Sequence, residues 1–543
     1  MLKRILLSLV LLLSIIACKT EKPRIEVDLF VVAQEIYTGD SIKAEAMVIK
    51  DGKVLELGSE QSLDDRYSAP RKKVFKGMYI YPGFNDAHAH FVGYARGLGR
   101  VNLMGTNSWE ECLQRVQAFA DANKPEFIMG RGWDQNDWEQ KEFPSRTELD
   151  SMFPNTPVVL SRIDGHASLA NGAALDFAQI SPDTKVAGGA LLMNERGLTG
   201  LLIDNAVDLI ELPELDESKD KELLLKAQEY CLRVGLTSIT DAGLKQREIE
   251  IMQELIEADS LKIRFNLMVS DDSASIAHYF KNGAIESPRL RVKTVKFYLD
   301  GALGSRGALL LEPYADDPTN FGLQLKPTKY FEMMADSLSH QGWQMAIHAI
   351  GDSANRIASH LFGIAYMHER NHRWRIEHAQ IVHPEDLSAL EELKGIPSIQ
   401  PTHATSDMYW ADERLGAERL AYAYSAKSFL EAGLVLPLGT DFPVENINPL
   451  YTLRSAWYRQ DASAYPEEGF RSKEALSFDE AMRGMTWSGA YASFEEDKKG
   501  LLMPGYYADF VVMAQDLSKA TAEELSQMEV QATAIDGEFL YGL

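Results

Sequence analysis

Six side chains able to bind a metal or carry a proton stand in or at the ends of short apolar runs. His88 and His90 close the stretch YPGFNDAHAH. Side chains of an extended segment alternate, so residues two apart project the same way and could hold one cation between them. His348 ends WQMAIH, His378 ends RWRIEH, and Asp441 ends LVLPLGTD. Lys296 lies inside VKTVKFYL, where an inward amine is costly as a cation and tends to lose its proton. Any one of these histidines alone reads as a hydrogen-bonded core imidazole. Four histidines and a carboxylate on four different strand ends read as a metal-ligand set. The cysteines Cys18, Cys112 and Cys231 form no CxxC pair, which excludes a Cys-based zinc module and leaves histidine and carboxylate as the available ligands.

The chemistry open to such a set is hydrolysis. A bound Zn²⁺ lowers the pKa of its water from about 15.7 toward ~7 and polarises a carbonyl as a Lewis acid. Asp441 could take the proton of that water and hand it to a departing amine. If Lys296 reacts with CO₂ it becomes an anion with two oxygens able to bridge two metals. If it does not, the site holds one, and the residues alone fit either case.

These side chains need a scaffold that gathers strand ends. The runs MYIYPGFNDAHAH, GLTSITDAG, KIRFNLMVS, VKTVKFYLDG, WQMAIHAIGD, RWRIEHAQIV, IPSIQPTH and LVLPLGTDFP supply eight strand candidates separated by helical patterns. From Asp241 to Asp441 their polar ends lie 23 to 52 residues apart. That spacing suits repeated βα units, and their closure is a (β/α)8 TIM-type barrel, whose catalytic groups sit where strands end. A doubly wound sheet would want a glycine-rich phosphate loop after its first strand, and here that strand ends in His-x-His. The barrel is expected over 79–485, with an insertion at 105–231 after the first strand. Alternating runs at 25–78 and 486–543, with Asp51-Gly52 and Asp536-Gly537 as hairpin turns, have too few strands to fold alone, so both chain ends are expected to build one small β-sandwich.

Residues 1–17 read as an address. Lys3 and Arg4 precede an apolar run from Ile5 to Ile16, short of the ~20 residues of a membrane helix. The ending Ile15-Ile16-Ala17-Cys18 resembles a bacterial lipobox. Cys18 is the expected lipidation site, 18–24 the tether, and the cell envelope the expected location, on the periplasmic or outer-membrane side. The net charge of -25, from 55 basic and 80 acidic residues, argues against nucleic acid as a partner.

With YPGFNDAHAH early, GTDFP late, and GRGWDQNDW, SRIDGHASLAN, KFYLDGALGSRGALL, RIEHAQIVHPED and KGLLMPGYYADFVVM between and after, the chain resembles the amidohydrolase superfamily, in the branch that includes N-substituted formamide deformylase. The resemblance runs from about Val27 to Gly542. It implies a barrel with a split β-sandwich, a divalent site usually holding zinc, and cleavage of a C–N bond. By position it assigns His88 and His90 to a first metal and His348 and His378 to a second. It makes Asp441 a ligand and base, matches Lys296 to a carbamylated bridging lysine, and puts His166 at the substrate. The catalytic set so implied is Asp441, His378 and His166.

Around this centre, Trp133, Asp134, Asn136 and Trp138 read either as a lid over the substrate or as anchors of a long loop. Arg306 could bind a carboxylate or serve as a structural partner. His403 could face the pocket or pack locally. His278, His340, His360, His368, His372 and His383 are expected in solvent. The expected partners are a small amide-type substrate and the membrane through the lipid anchor alone, with a homodimer allowed. A deaminase, an esterase or lactonase on the same centre, and a catalytically silent ligand-binding lipoprotein are the other readings, since fold and metal do not fix the electrophile.

Overall fold

The computed structural model describes residues 24–40, 42–135, 138–162, 167–186, 189–204, 206–211 and 216–542. Cys18, Asn136 and His166 lie outside them. Among the described residues no helix is long and apolar enough to cross a membrane.

Seven parallel strands form the barrel: Phe84–Ala89, Leu236–Leu244, Arg264–Ser270, Leu290–Tyr298, Gln344–Ala349, Arg375–His378 and Ile396–Ser398, hydrogen-bonded to one another in that order. Their near-continuous apolar character follows from burial on both faces, one by the helices outside and the other by the barrel interior. Helix Gln246–Glu257 shows the outer packing, burying Ile249, Met252 and Leu255 at a spacing of three residues, the stripe a helix needs against a sheet. The fold is therefore the TIM-type barrel expected from the eight runs.

The eighth run differs from expectation in form. LVLPLGTDFP makes no regular strand, yet it closes the ring. Pro437 O accepts from Ile399 N (3.1 Å) and Gly439 N donates to Ile399 O (3.0 Å) on one side. On the other side Leu438 O accepts from Ala87 N (3.2 Å), Asp441 N donates to His88 O (2.8 Å), and Phe442 O accepts from His90 N (2.8 Å). Pro437 has no N–H to give, and Asp441 is in the left-handed region at φ 62°, so a uniform ladder cannot form.

Both chain ends meet in one seven-stranded sheet, in the order Glu538–Tyr541, Val530–Ile535, Phe510–Met513, Arg71–Pro82, Leu29–Tyr37, Lys43–Lys50 and Lys53–Gly58. The two hairpins turn at Asp51-Gly52 and Asp536-Gly537, all four residues at positive φ, as a two-residue turn of this type requires. Alternation gives the sheet two apolar faces, Leu29, Val31 and Met47 on one and Phe30, Val32 and Val48 on the other. Arg264, at the start of the third barrel strand, fastens this sheet to the barrel through Asp509 (2.7 and 2.9 Å) and Asp536 (2.6 Å).

After the first barrel strand, Val101–Asn102, Ile128–Trp133, Val158–Arg162, Ala167–Ala170, Gly197–Asp204 and Gly189–Asn194 form a separate six-stranded sheet with its own core around Val116, Trp133 and Leu160. Helix Glu217–Arg233 then packs Leu223, Leu224 and Ala227 into the barrel's cluster.

Gly439 is the tightest point of the closure. A Cβ there would stand 2.6 Å from His88 N and 2.9 Å from both Asp86 Oδ1 and His88 O, two of them backbone atoms that cannot rotate away. G439A is expected to lower stability by about 1–3 kcal/mol and to reduce metal retention, checked by denaturant unfolding and metal analysis of the same sample.

Candidate metal centre

The strand ends bring His88, His90, Lys296, His348, His378, His403 and Asp441 to one mouth of the barrel. Asp441 is the hub. Its Oδ1 lies 3.1 Å from His90 Nε2 and 3.6 Å from His88 Nε2, and its Oδ2 lies 3.5 Å from His403 Nε2 and 3.9 Å from His378 Nδ1. Lys296 Nζ stands 3.4 Å from His88 Nε2. The His348 and His378 rings are 4.5 Å apart, and His378 and His403 are stacked at 5.8 Å. One donor atom each from His88, His378 and Asp441 falls within 4.8 Å of the others.

The side chains are held by partners around them. His88 Nδ1 donates to Glu377 Oε2 at 2.5 Å, which fixes the tautomer and turns the Nε2 lone pair inward. Glu377 is fully buried and accepts from Arg375 Nε (2.6 Å) and Nη2 (3.0 Å). His90 Nδ1 donates to Ala242 O (3.1 Å), and His378 Nδ1 pairs with Gln400 Oε1 (2.8 Å). Asp86 accepts from His88 N (3.1 Å), Thr440 N (3.0 Å) and Thr440 Oγ1 (2.6 Å), tying the first strand to the closing segment. Asp300 does the same between the fourth and fifth strands, accepting from Leu309, Ile350 and Gly351 backbone N–H groups.

Electrostatics favour neutral imidazoles at His88, His348 and His378, whereas at His90 burial is outweighed by the Asp441 carboxylate, which raises the imidazole. Burial, then the Lys296 charge, pushes His88 down to about 4 and His348 to about 3. Burial holds His378 well below the ordinary histidine range. Burial alone would raise Asp441, but the His90 ring beside it and the other imidazoles around it override this and keep the carboxylate ionised. Lys296 is lowered to about 8 by burial. The buried polar atoms without hydrogen-bond partners include His348 Nε2, His403 Nε2 and Asp441 Oδ1. Such orphans are rare in folded proteins, and three of them converging on one pocket fit a divalent cation, whose ligands must be neutral imidazole and carboxylate.

Other expected residues stand elsewhere. Of the lid and anchor readings of Trp133, its surroundings fit the anchor rather than a substrate contact: it is fully buried and its indole N–H donates to Leu160 O at 2.8 Å. Trp138 is likewise buried, donating to Thr106 O at 3.1 Å. Asp134 accepts from Arg162 Nη2. Arg306 is bonded to Asp316 at 3.1 and 2.7 Å, the structural use of that side chain. His372 is buried rather than solvated, bonded to Leu393 O (2.7 Å) and Trp374 N (2.9 Å). Arg375 and Gln400 carry no ligand-like spacing, and the sequence reading misses them and Asp86 alike. Asp86 does share the two-residue alternation of His88 and His90, which is a usable signal.

A TIM-type barrel with a His, Lys and Asp cluster at its strand ends defines a class of hydrolase scaffold. The sequence pattern of the amidohydrolase family matches residues 75–541, and the chain belongs to that family. It is 33% identical to Protein LONG AFTER FAR-RED 3 of Arabidopsis thaliana, over 95% of this chain and 91% of that one. It is 25% identical to N-substituted formamide deformylase of Arthrobacter pascens, over 95% and 98%. Among solved structures it matches an uncharacterized metal-dependent hydrolase from Pyrococcus horikoshii OT3 at 26% identity and a TM-score of 0.76, covering 91% and 99% of the two chains.

E377Q removes the charge that fixes His88. It is expected to weaken metal binding 10- to 100-fold, read by chelator competition, and to lower stability because Arg375 loses its buried partner, read by denaturant unfolding of the metal-free protein. Unaltered metal affinity would show that Glu377 does not orient the ligand.

Proposed function

We propose that this chain is a zinc-dependent amidohydrolase that cleaves a non-peptide C–N bond, amide or formamide-like, in a small molecule. The observation that carries the proposal is the hub geometry of Asp441, an ionised buried carboxylate surrounded by His88, His90, His378 and His403. His88, His90, His348, His378 and Asp441 would hold the metal, and nitrogen and oxygen donors of this kind suit Zn²⁺. When bound, such an ion lowers the pKa of a water toward ~7 and polarises the substrate carbonyl.

Asp441 supplies the proton transfers. Its Oδ1 makes no hydrogen bond and can accept a proton as water attacks the carbonyl carbon. The same proton passes to the nitrogen as the C–N bond breaks, which amide cleavage needs because an amide anion is a very poor leaving group. His403 Nε2, also without a hydrogen-bond partner, is the group assigned to steady the carbonyl oxygen. The formamide class is borrowed from the named deformylase relative. With Cys18 as the lipidation site, the enzyme would work at the cell envelope.

Lys296 has to surrender its charge for this centre to form. An ammonium 3.4 Å from His88 Nε2 would repel a cation held on that nitrogen, whereas a carbamate there adds a negative ligand. The reactive free amine grows as pH rises through about 8. Incubation of metal-depleted protein with bicarbonate is therefore expected to raise subsequent metal uptake, more at pH 9 than at pH 7, and K296A should lose the bicarbonate effect. Uptake indifferent to bicarbonate in the wild type would leave Lys296 as a neutral amine.

D441N is expected to lower turnover by at least ~10²-fold with the fold intact, and H88A to abolish it. A panel of N-substituted formamides, amides, esters and aminated rings separates the chemistries: amine plus carboxylate supports the proposal, while alcohol or free ammonia as the main product moves the enzyme to an esterase or deaminase. A D441N variant of full activity would remove Asp441 from the mechanism.

A further inference from the structure

A second set of metal-binding side chains lies outside the barrel. Helices Thr328–Gln341 and Asp352–His368 are neighbours in the outer ring, and His340 and His368 each sit in the last turn of their helix. Their rings approach to 4.4 Å. Asp336, one turn before His340, places Oδ1 3.5 Å from His340 Nδ1 and 3.9 Å from His368 Nε2. One donor atom from each of the three lies within 4.8 Å of the others. The side chains are accessible, at 61% for Asp336, 59% for His340 and 36% for His368.

We propose that Asp336, His340 and His368 form a surface site for a borderline divalent transition ion, Zn²⁺, Ni²⁺ or Cu²⁺, clamping two outer helices together. Metal–ligand bonds of about 2.0–2.2 Å in tetrahedral geometry set neighbouring donors roughly 3.3–3.5 Å apart. The 3.9 Å approach of Asp336 Oδ1 to His368 Nε2 needs a contraction of about half an ångström to reach that range, and one donor atom of each of the three already lies within 4.8 Å of the others, within reach of exposed side chains. The His340 ring is already steadied, because its Nδ1 donates to Asp336 O at 2.8 Å and leaves Nε2 as the lone-pair nitrogen. Two helix C-termini converge on the site, and the negative ends of their dipoles favour a cation there. Imidazole with a single carboxylate selects Zn²⁺, Ni²⁺ or Cu²⁺ over Ca²⁺ or Mg²⁺, which prefer oxygen shells. Helices of a barrel run back from the strand ends, so this site is at the face opposite the catalytic mouth, and its occupancy is separable from turnover.

The test uses the full-length holoenzyme dialysed against Ni²⁺, with bound metal counted by elemental mass spectrometry. The H340A/H368A double variant is expected to bind about one equivalent less than the wild type at the same free Ni²⁺, with turnover unchanged. D336N, which preserves shape, should also lose that equivalent. H88A, damaged only at the catalytic centre, should retain it, so adding H340A/H368A to H88A should again subtract one. Equal metal content in the wild type and H340A/H368A would overturn the proposal, as would equal metal content in H88A and H88A/H340A/H368A.

Discussion

The interior of the barrel depends on one buried ionic chain, Arg375 to Glu377 to His88. Arg375 and Glu377 are both fully buried, and a charge in that setting is tolerable only when paired and hydrogen-bonded. Arg375 answers Glu377 with two N–H groups and uses the same Nη2 to reach Ala87 O (2.6 Å) and Ser398 Oγ (2.9 Å). It therefore joins the first, sixth and seventh strands across the interior. Burial alone would raise Glu377; Arg375 and His88 outweigh it and hold the carboxylate well below its usual range. An ionised Glu377 then dictates which nitrogen of His88 carries the proton. Barrel cohesion and ligand orientation are in this way the same interaction.

The second constraint is backbone strain at the ligands. His378 (φ 75°), Ala379 (φ 41°) and Asp441 (φ 62°) occupy the left-handed region without being glycine, at a cost of about 1–3 kcal/mol each. Asp441 is kept there by its N–H to His88 O and by Thr440, which Asp86 grips through both backbone and hydroxyl. His378 is steadied by Gln400, and the segment after it by Tyr424 N donating to Gln380 O. The closing segment thus gives up regular strand geometry and in exchange aims the Asp441 carboxylate inward.

Much of this was legible in the residues because it rests on local periodicity. Seven of eight strands could be read from apolar runs, and the histidines and Asp441 from their place at the ends of those runs. The hairpins at Asp51 and Asp536 were legible because Asp-Gly suits positive φ. What escaped depends on distance in sequence. Asp86 meets Thr440 across 354 residues and His88 meets Glu377 across 289, and no local pattern encodes such pairs. Trp133 was ambiguous for a related reason: a tryptophan in a glycine-flanked run suits a lid or a core, and only the Leu160 carbonyl, 27 residues on, decides for the core.

Charge balance ties these features to the unusual placement of Lys296. Glu377 is already neutralised by Arg375, and Asp86 and Asp300 are occupied by backbone N–H groups, so Asp441 is the anion left to face incoming cations among the ligand side chains. One divalent ion against one carboxylate leaves an excess of one positive charge, which a hydroxide can cancel. A second ion would leave an excess no neutral imidazole can offset, and in a buried site such an imbalance is prohibitive. An ammonium at Lys296 worsens it, and burial already weakens its hold on the proton. Conversion of that amine to a carbamate, as proposed, would reverse its sign 3.4 Å from His88 Nε2. On the proposed function, the number of metal ions this centre could hold would therefore depend less on the count of histidines than on the chemical state of a single lysine.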